Sequence, residues 1–192
     1  MSKDRELKKE FAKYTMRYLG KANIMYIKKT SESESKMFQN FLLDMNSSYL
    51  IYGNEEILNK FRAFYLTRCT KTRPLYSQYH ATLYAEALTS DSKDEYGLNI
   101  DQDLIFLYIH EHSISSLGKS ETWFTETLLN KITSRNRDGL VTIVLSEVRV
   151  PSLEDKSELN IINLNRVAIE KTVGIATKDI AKNSQASSSV CY

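Results

Sequence analysis

The sequence predicts an α/β protein in which a parallel sheet is sandwiched by helices. Two nearly continuous apolar runs, DLIFLYIHE (103–111) and LVTIVLSE (140–147), suit strands covered on both faces. Between them, SETWFTETLLNKITSRNRDG (120–139) has helical periodicity, a serine at its start and a glycine at its end. Upstream, Ser48–Tyr52 runs into Gly53 and then into a helical stretch, so strand and helix alternate as βαβ units require.

Taken in order, residues 3–19 read as an amphipathic helix. Leu7, Phe11, Tyr14, Tyr18 and Leu19 lie on its apolar side, Lys8, Lys9, Lys13 and Arg17 on the other, and Gly20 is placed to end it. NIMYIKK (23–29) reads as a short strand or extended connection. SESESKMFQNFLLDM (31–45) opens with serines and acids suited to the positive end of a helix dipole, and Met37, Phe38, Phe41, Leu42 and Met45 supply an apolar face. Ser48–Tyr52 is a strand. Glu55–Thr70 is a helix with Ile57, Leu58, Phe61, Phe64, Tyr65 and Arg68 on one broad face. PLYSQYHATLYAEAL (74–88) starts extended and turns helical near Tyr79, and 89–102 is polar and loop-like. In the helix that follows, Ser120 caps, Trp123, Phe124, Thr127, Leu128 and Ile132 face inward, and Gly139 terminates. LNIINLNRVAIEK (159–171) alternates like an edge strand or hairpin, and 178–192 reads as a flexible tail. One α/β domain over 1–177 is expected: an N-terminal helix and connection (1–30), a core (31–151) and C-terminal strands (152–177).

Bulk properties narrow the class. The 192 residues are 42% hydrophobic and 26% charged, ordinary for a globular chain, and the net charge of +2 makes no global basic field. No apolar run reaches the ~18 residues of a membrane helix. The charged start MSKDRELKKEF is unlike a signal peptide, so a cytoplasmic location is expected, with no membrane partner. Cys69 and Cys191 lack metal spacing; Cys69 reads as a small core residue and Cys191 as a thiol on the tail.

From about Ser33 to Pro151, the order of elements resembles the ATPase domain of bacterial replicative-helicase loaders of the DnaC/DnaI type and the related IstB transposition proteins. These are AAA+ P-loop ATPases. The resemblance rests on 103–147: a strand in the Walker B place, a loop, a helix with a serine-acid start and an early aromatic, then Arg135, Arg137, Gly139 and the strand Thr142-Ile143-Val144. It implies a P-loop NTPase (AAA+)-like fold. It also implies work in DNA replication or mobile-element maintenance, with a replicative helicase, a helicase loader or DNA as partner, and it admits a homo-oligomer.

The departures from the family pattern fall on the nucleotide site. A Walker A loop, G-x-x-x-x-G-K-[ST], wraps phosphates with glycine-permitted backbone N–H groups, a lysine and a hydroxyl on magnesium. Starting at Gly53, Leu58 stands at the second glycine, Asn59 at the lysine and Lys60 at the hydroxyl. Glu55 and Glu56 would face a polyphosphate, and like unit charges at ~4 Å cost about 4 kcal/mol at an effective dielectric of 20. The Walker B acids align with Tyr108 and Ile109, with Glu111 two residues late, and the polar sensor position aligns with Glu147. A degenerate site is therefore expected, with no catalytic residue, no cofactor and no enzyme activity.

Other constellations carry less. His110-Glu111-His112 places two histidines at i, i+2 and could share zinc, but His80 is the only other histidine, so a polar strand terminus is preferred and no metal is expected. No G-x-S-x-G elbow occurs. Lys60, Arg62, Arg68, Lys71 and Arg73 cluster in or after one helix, and Arg135 and Arg137 end another. Helix dipoles favour such placements, and DNA phosphates would be their functional target. Tyr49, Tyr52, Tyr65, Tyr76, Tyr79 and Tyr84 could stack on bases or line an interface, while the ordinary expectation is a core edge with a wet hydroxyl. Two further readings are a protein–protein adaptor or inhibitor with no DNA role, and an ATPase whose altered site uses Lys60 and Glu111.

Overall fold

The computed structural model describes residues 18–41, 44–69, 72, 74–89, 99, 102–112, 120–156 and 159–165. Residues 3–17 of the N-terminal helix expected over 3–19, Lys71, Arg73 and the tail lie outside them. Helix α1 occupies 18–29 and is followed by α2 (Glu32–Phe41), β1 (Tyr49–Tyr52) and α3 (Glu55–Cys69). Then come β2 (Tyr76–His80), α4 (Ala81–Thr89), β3 (Leu104–Ile109), α5 (Glu121–Arg137), β4 (Val141–Ser146), α6 (Pro151–Lys156) and β5 (Asn160–Asn163).

All five strands are parallel, in the order β2-β3-β4-β1-β5. This is the parallel, helix-flanked sheet that the apolar runs predict. Strand alternation divides the core. Tyr49, Ile51, Leu104, Phe106, Ile143 and Leu145 point to one face, where they meet Leu19 of α1, Met37 and Phe38 of α2, and Leu58, Phe61 and Tyr65 of α3. Leu50, Ile105, Leu107, Ile109 and Val144 point to the other, where Tyr84 and Ala85 of α4, Phe124 and Leu128 of α5 and Leu153 of α6 pack. Burying each large apolar side chain contributes about 1.5–3 kcal/mol, so both helical layers stabilise the sheet between them.

Local chemistry explains the boundaries. Ser31 and Glu34 form a capping box on α2: the Glu34 N–H donates to Ser31 Oγ (3.2 Å) and the Ser31 N–H to Glu34 Oε2 (2.7 Å). Ser120 caps α5 by accepting from the Trp123 N–H at 3.2 Å, and Gly139, at φ 71°, carries the chain out of that helix. Of the stretch 159–171, expected as an edge strand or hairpin, Asn160–Asn163 form β5, an edge strand joined to β1 in parallel, and 166–171 lie outside the described residues.

Three local expectations change. NIMYIKK is helical, because Asn23 and the half-buried Ile24 and Ile27 sit against the α3 layer instead of adding a strand. Gly20 adopts a left-handed φ of 70°, yet helix continues to residue 29. Three tyrosines expected to keep a wet hydroxyl bond the backbone instead: Tyr49 donates to Asp44 O (2.6 Å), Tyr65 to Met45 O (2.9 Å), and Tyr52 accepts from the Val150 N–H (3.3 Å). Cys69 is buried, as expected, and burial pushes its thiol up to about 12. No described helix is long and apolar enough to cross a membrane.

Candidate functional site

Parallel α/β sheets place their sites outside the carboxyl ends of the strands. At that edge stand Gly53 after β1, His80 at the end of β2, His110 after β3 and Glu147 after β4.

The β1–α3 connection is a tight turn of two residues, Gly53 and Asn54. Asn54 caps the helix, its Oδ1 accepting from the Ile57 N–H at 3.0 Å while its carbonyl accepts from Leu58 at 3.0 Å. A Cβ on Gly53 would lie 2.6 Å from Ile57 Cγ2 and 3.3 Å from Leu58 Cδ2. The glycine thus admits the first turn of α3 close against the strand. Residues 55–60, which the Walker A register would spread along a phosphate loop, are already helix. Glu55 and Glu56 occupy its first turn.

Lys60 is turned to the flank of α3. Its Nζ lies 2.9 Å from Glu34 Oε1 and 3.0 Å from Glu56 Oε1. The Glu34 hydrogen bond raises the Lys60 pKa against the opposing effect of burial. Burial raises the Glu34 carboxyl, but the Ser31 N–H and Lys60 outweigh it and hold the group below its ordinary value. Lys60 is a clamp between α2 and α3.

The two positions aligned with the Walker lysine and the first Walker acid touch each other. Tyr108 Oη donates to Asn59 Oδ1 at 3.2 Å and accepts from Arg62 Nη1 at 2.6 Å. Arg62, only 7% exposed, also donates from Nη1 to Gln78 Oε1 (3.0 Å) and from Nε to Asn23 Oδ1 (3.1 Å). Its guanidinium carbon lies 5.4 Å from the centre of the Tyr108 ring. Burial pushes the Tyr108 hydroxyl pKa up, with Arg62 opposing. These groups line a cleft of about 220 Å³, completed by Glu55, Tyr79, His80 and His110.

Beyond the cleft, Glu147 gathers the ends of β3 and β4. Its Oε2 accepts from the Glu111 N–H at 3.1 Å and lies 3.3 Å from His110 Nδ1. Glu111 is exposed in the turn after β3, and Ile109 is buried in the α4–α5 layer. His110 lies against His80 (5.1 Å between ring centres) and Tyr108 (5.9 Å). Among the described residues, no three His, Cys, Asp or Glu side chains form a group able to hold a metal ion.

The basic residues separate. Arg135 is 1% exposed; its Nε donates to Thr142 Oγ1 (3.0 Å) and its Nη2 to Gln102 O (2.8 Å) and Val141 O (3.0 Å). It fastens the end of α5 to the sheet and offers no surface to a phosphate. Arg62 is enclosed by the cleft network, Lys60 is ion-paired, and Arg68 and Arg137 are exposed at the ends of α3 and α5. Gln78 and Asn23 escape the sequence reading. For Gln78 the available signal is alternation in β2, which sets it on one side with Tyr76 and His80.

The sequence matches no family model and no curated protein. Among solved structures, a DNA replication initiation factor is similar with a TM-score of 0.41 and 16% identity, over 83% of this chain and 52% of that one. Saccharomyces cerevisiae Rif2 gives 0.41 and 13%, over 85% of this chain and 63% of Rif2. The DnaC helicase loader gives 0.38 and 12%, over 68% of this chain and 86% of the loader. The chain thus spans about half to two thirds of the first two proteins. Likeness at this level concerns the layout of strands and helices and assigns no residue a role.

Proposed function

We propose that this protein is a non-hydrolysing, P-loop-like α/β protein that works by holding a partner: a replicative helicase, a helicase loader or DNA. Its setting would be DNA replication or mobile-element maintenance. The setting rests on the resemblance of residues 33–151 to helicase loaders. The absence of hydrolysis rests on one observation above all, the bonding of Tyr108 to both Asn59 and Arg62 where phosphate and metal ligands would otherwise be needed. The capped, doubly acidic start of α3 and the pairing of Lys60 with Glu34 and Glu56 support it.

The test is thermal unfolding with and without Mg-ATP. A nucleotide at a hundred times its dissociation constant adds about 2.7 kcal/mol of stability. The expected outcome is no saturable shift at millimolar nucleotide; a saturable one would restore the reading of an ATPase with an altered site.

A protein adaptor without a DNA role is favoured by a separate observation. Of the seven basic residues considered for DNA, Arg62 and Arg135 are buried and Lys60 is ion-paired. Such a protein would act by surface contact with a protein partner alone.

A further inference from the structure

Among the described residues, Arg62 is a buried cation without an anion. Arginine carries five N–H donors. Three are engaged, one on Nε and two on Nη1, and every acceptor is neutral: Asn23, Gln78 and Tyr108. Among the described residues no carboxylate pairs with it. Among the described residues Nη2 makes no hydrogen bond, and it is not one of the side-chain atoms sealed from solvent there. Arg62 lines the cleft, and Nη2 is the guanidinium nitrogen with no acceptor among the described residues. Enclosing a charge is costly unless it is paired, and neutral acceptors and the Tyr108 ring offset only part of that cost.

We propose that this cleft binds a small carboxylic acid, its carboxylate anchored by Arg62 Nη2. A single negative charge balances the guanidinium. A dianionic phosphate would overshoot, because Glu55 already sets a carboxylate on the cleft wall. Asn23, Gln78 and Tyr108 hold the guanidinium in one orientation, the condition for a directional charge-assisted bond. The imidazoles of His80 and His110 and the ring of Tyr79 flank the remaining space, and about 220 Å³ accommodates an acid of a few carbon atoms. The proposal is independent of whether the protein hydrolyses nucleotide, so the Mg-ATP test does not decide it.

The test follows the Arg62 Nε–Hε resonance of the full chain during titration with sodium acetate and sodium propionate. Sodium chloride and sodium phosphate at matched ionic strength are the comparison arms. The expected result is a saturable shift with the acids and none with chloride. Glu55→Gln alters an exposed side chain away from the core and should tighten acid binding by about threefold, because it removes one like charge from the cleft. Arg62→Gln should abolish the response. The proposal is overturned by no saturable response to either acid, an equal response to chloride, tighter binding of phosphate than acetate, or unchanged affinity in Glu55→Gln.

Discussion

Gly53 is the residue on which a nucleotide reading and a packing reading part. In a phosphate loop its value would be a backbone N–H aimed at an oxyanion; here its N–H donates to Ser146 O at 3.1 Å, joining β1 to β4. What the position requires is the lack of a Cβ, since Ile57 Cγ2 would sit 2.6 Å from it. Gly53→Ala should therefore destabilise the fold by about 1–3 kcal/mol through overpacking, seen as a lower denaturant midpoint with an unchanged slope. Ile57→Ala in the same chain should recover part of that loss, because the two residues share the clash. Additive effects of the two substitutions would show that the glycine serves something other than this close approach.

At the scale of elements, α2 and α3 are joined by a charge clamp as well as by Phe38, Phe61 and Phe64. Its pH dependence has a definite sign. Glu34 is held below its ordinary value of 4.5, so its contribution is present above that pH and fades as pH falls through the folded-state value. Lys60 is raised above 10.5, so its contribution is complete below that pH and is lost as pH rises through the folded-state value. Glu34→Gln keeps an acceptor for the Ser31 N–H and removes only the charge. It should lower stability at neutral pH by about 1 kcal/mol or less, and the gap from the parent protein should close on acidification. A gap that stayed constant from neutral to acid pH would place the effect in the cap instead. Elements of this kind were the most legible in the sequence: β3, α5 and β4 follow from long apolar runs, the Ser120 cap and Gly139. What could not be read was how distant elements meet. Nothing local in NIMYIKK announces that Asn23 will bond Arg62, and Arg135 reads as a surface cation until β4 brings Thr142 to its guanidinium. Helix periodicity marks the apolar face of α3 but gives no warning that Asn59 and Arg62 are also buried, since their enclosure depends on Tyr108 from a strand 49 positions beyond Asn59.

Across the whole molecule, the parallel topology separates two edges. Every strand runs toward the edge that holds Gly53, the Arg62 cleft and Glu147, and each crossover helix returns the chain to the opposite edge. Arg68 and Arg137 end α3 and α5, so both lie at that opposite edge, on different faces of the sheet. Phosphate contact there would be remote from the cleft and would use few charges. Each phosphate neutralised contributes about 0.7 to the log–log salt slope on a single strand and about 0.9 on duplex DNA. If DNA is the partner, Arg68→Ala and Arg137→Ala should each weaken binding by a similar factor on unrelated sequences and lower the slope by about 1, while leaving thermal stability unchanged. Fluorescence anisotropy of a labelled oligonucleotide over a salt series reads both quantities. Arg135 is unsuitable for that comparison, because removing a buried guanidinium that binds Thr142, Gln102 and Val141 would act through the fold. Binding that ignores salt, or a slope that neither substitution alters, would remove Arg68 and Arg137 from any nucleic-acid interface. The surface contacts of the protein would then belong to a protein partner.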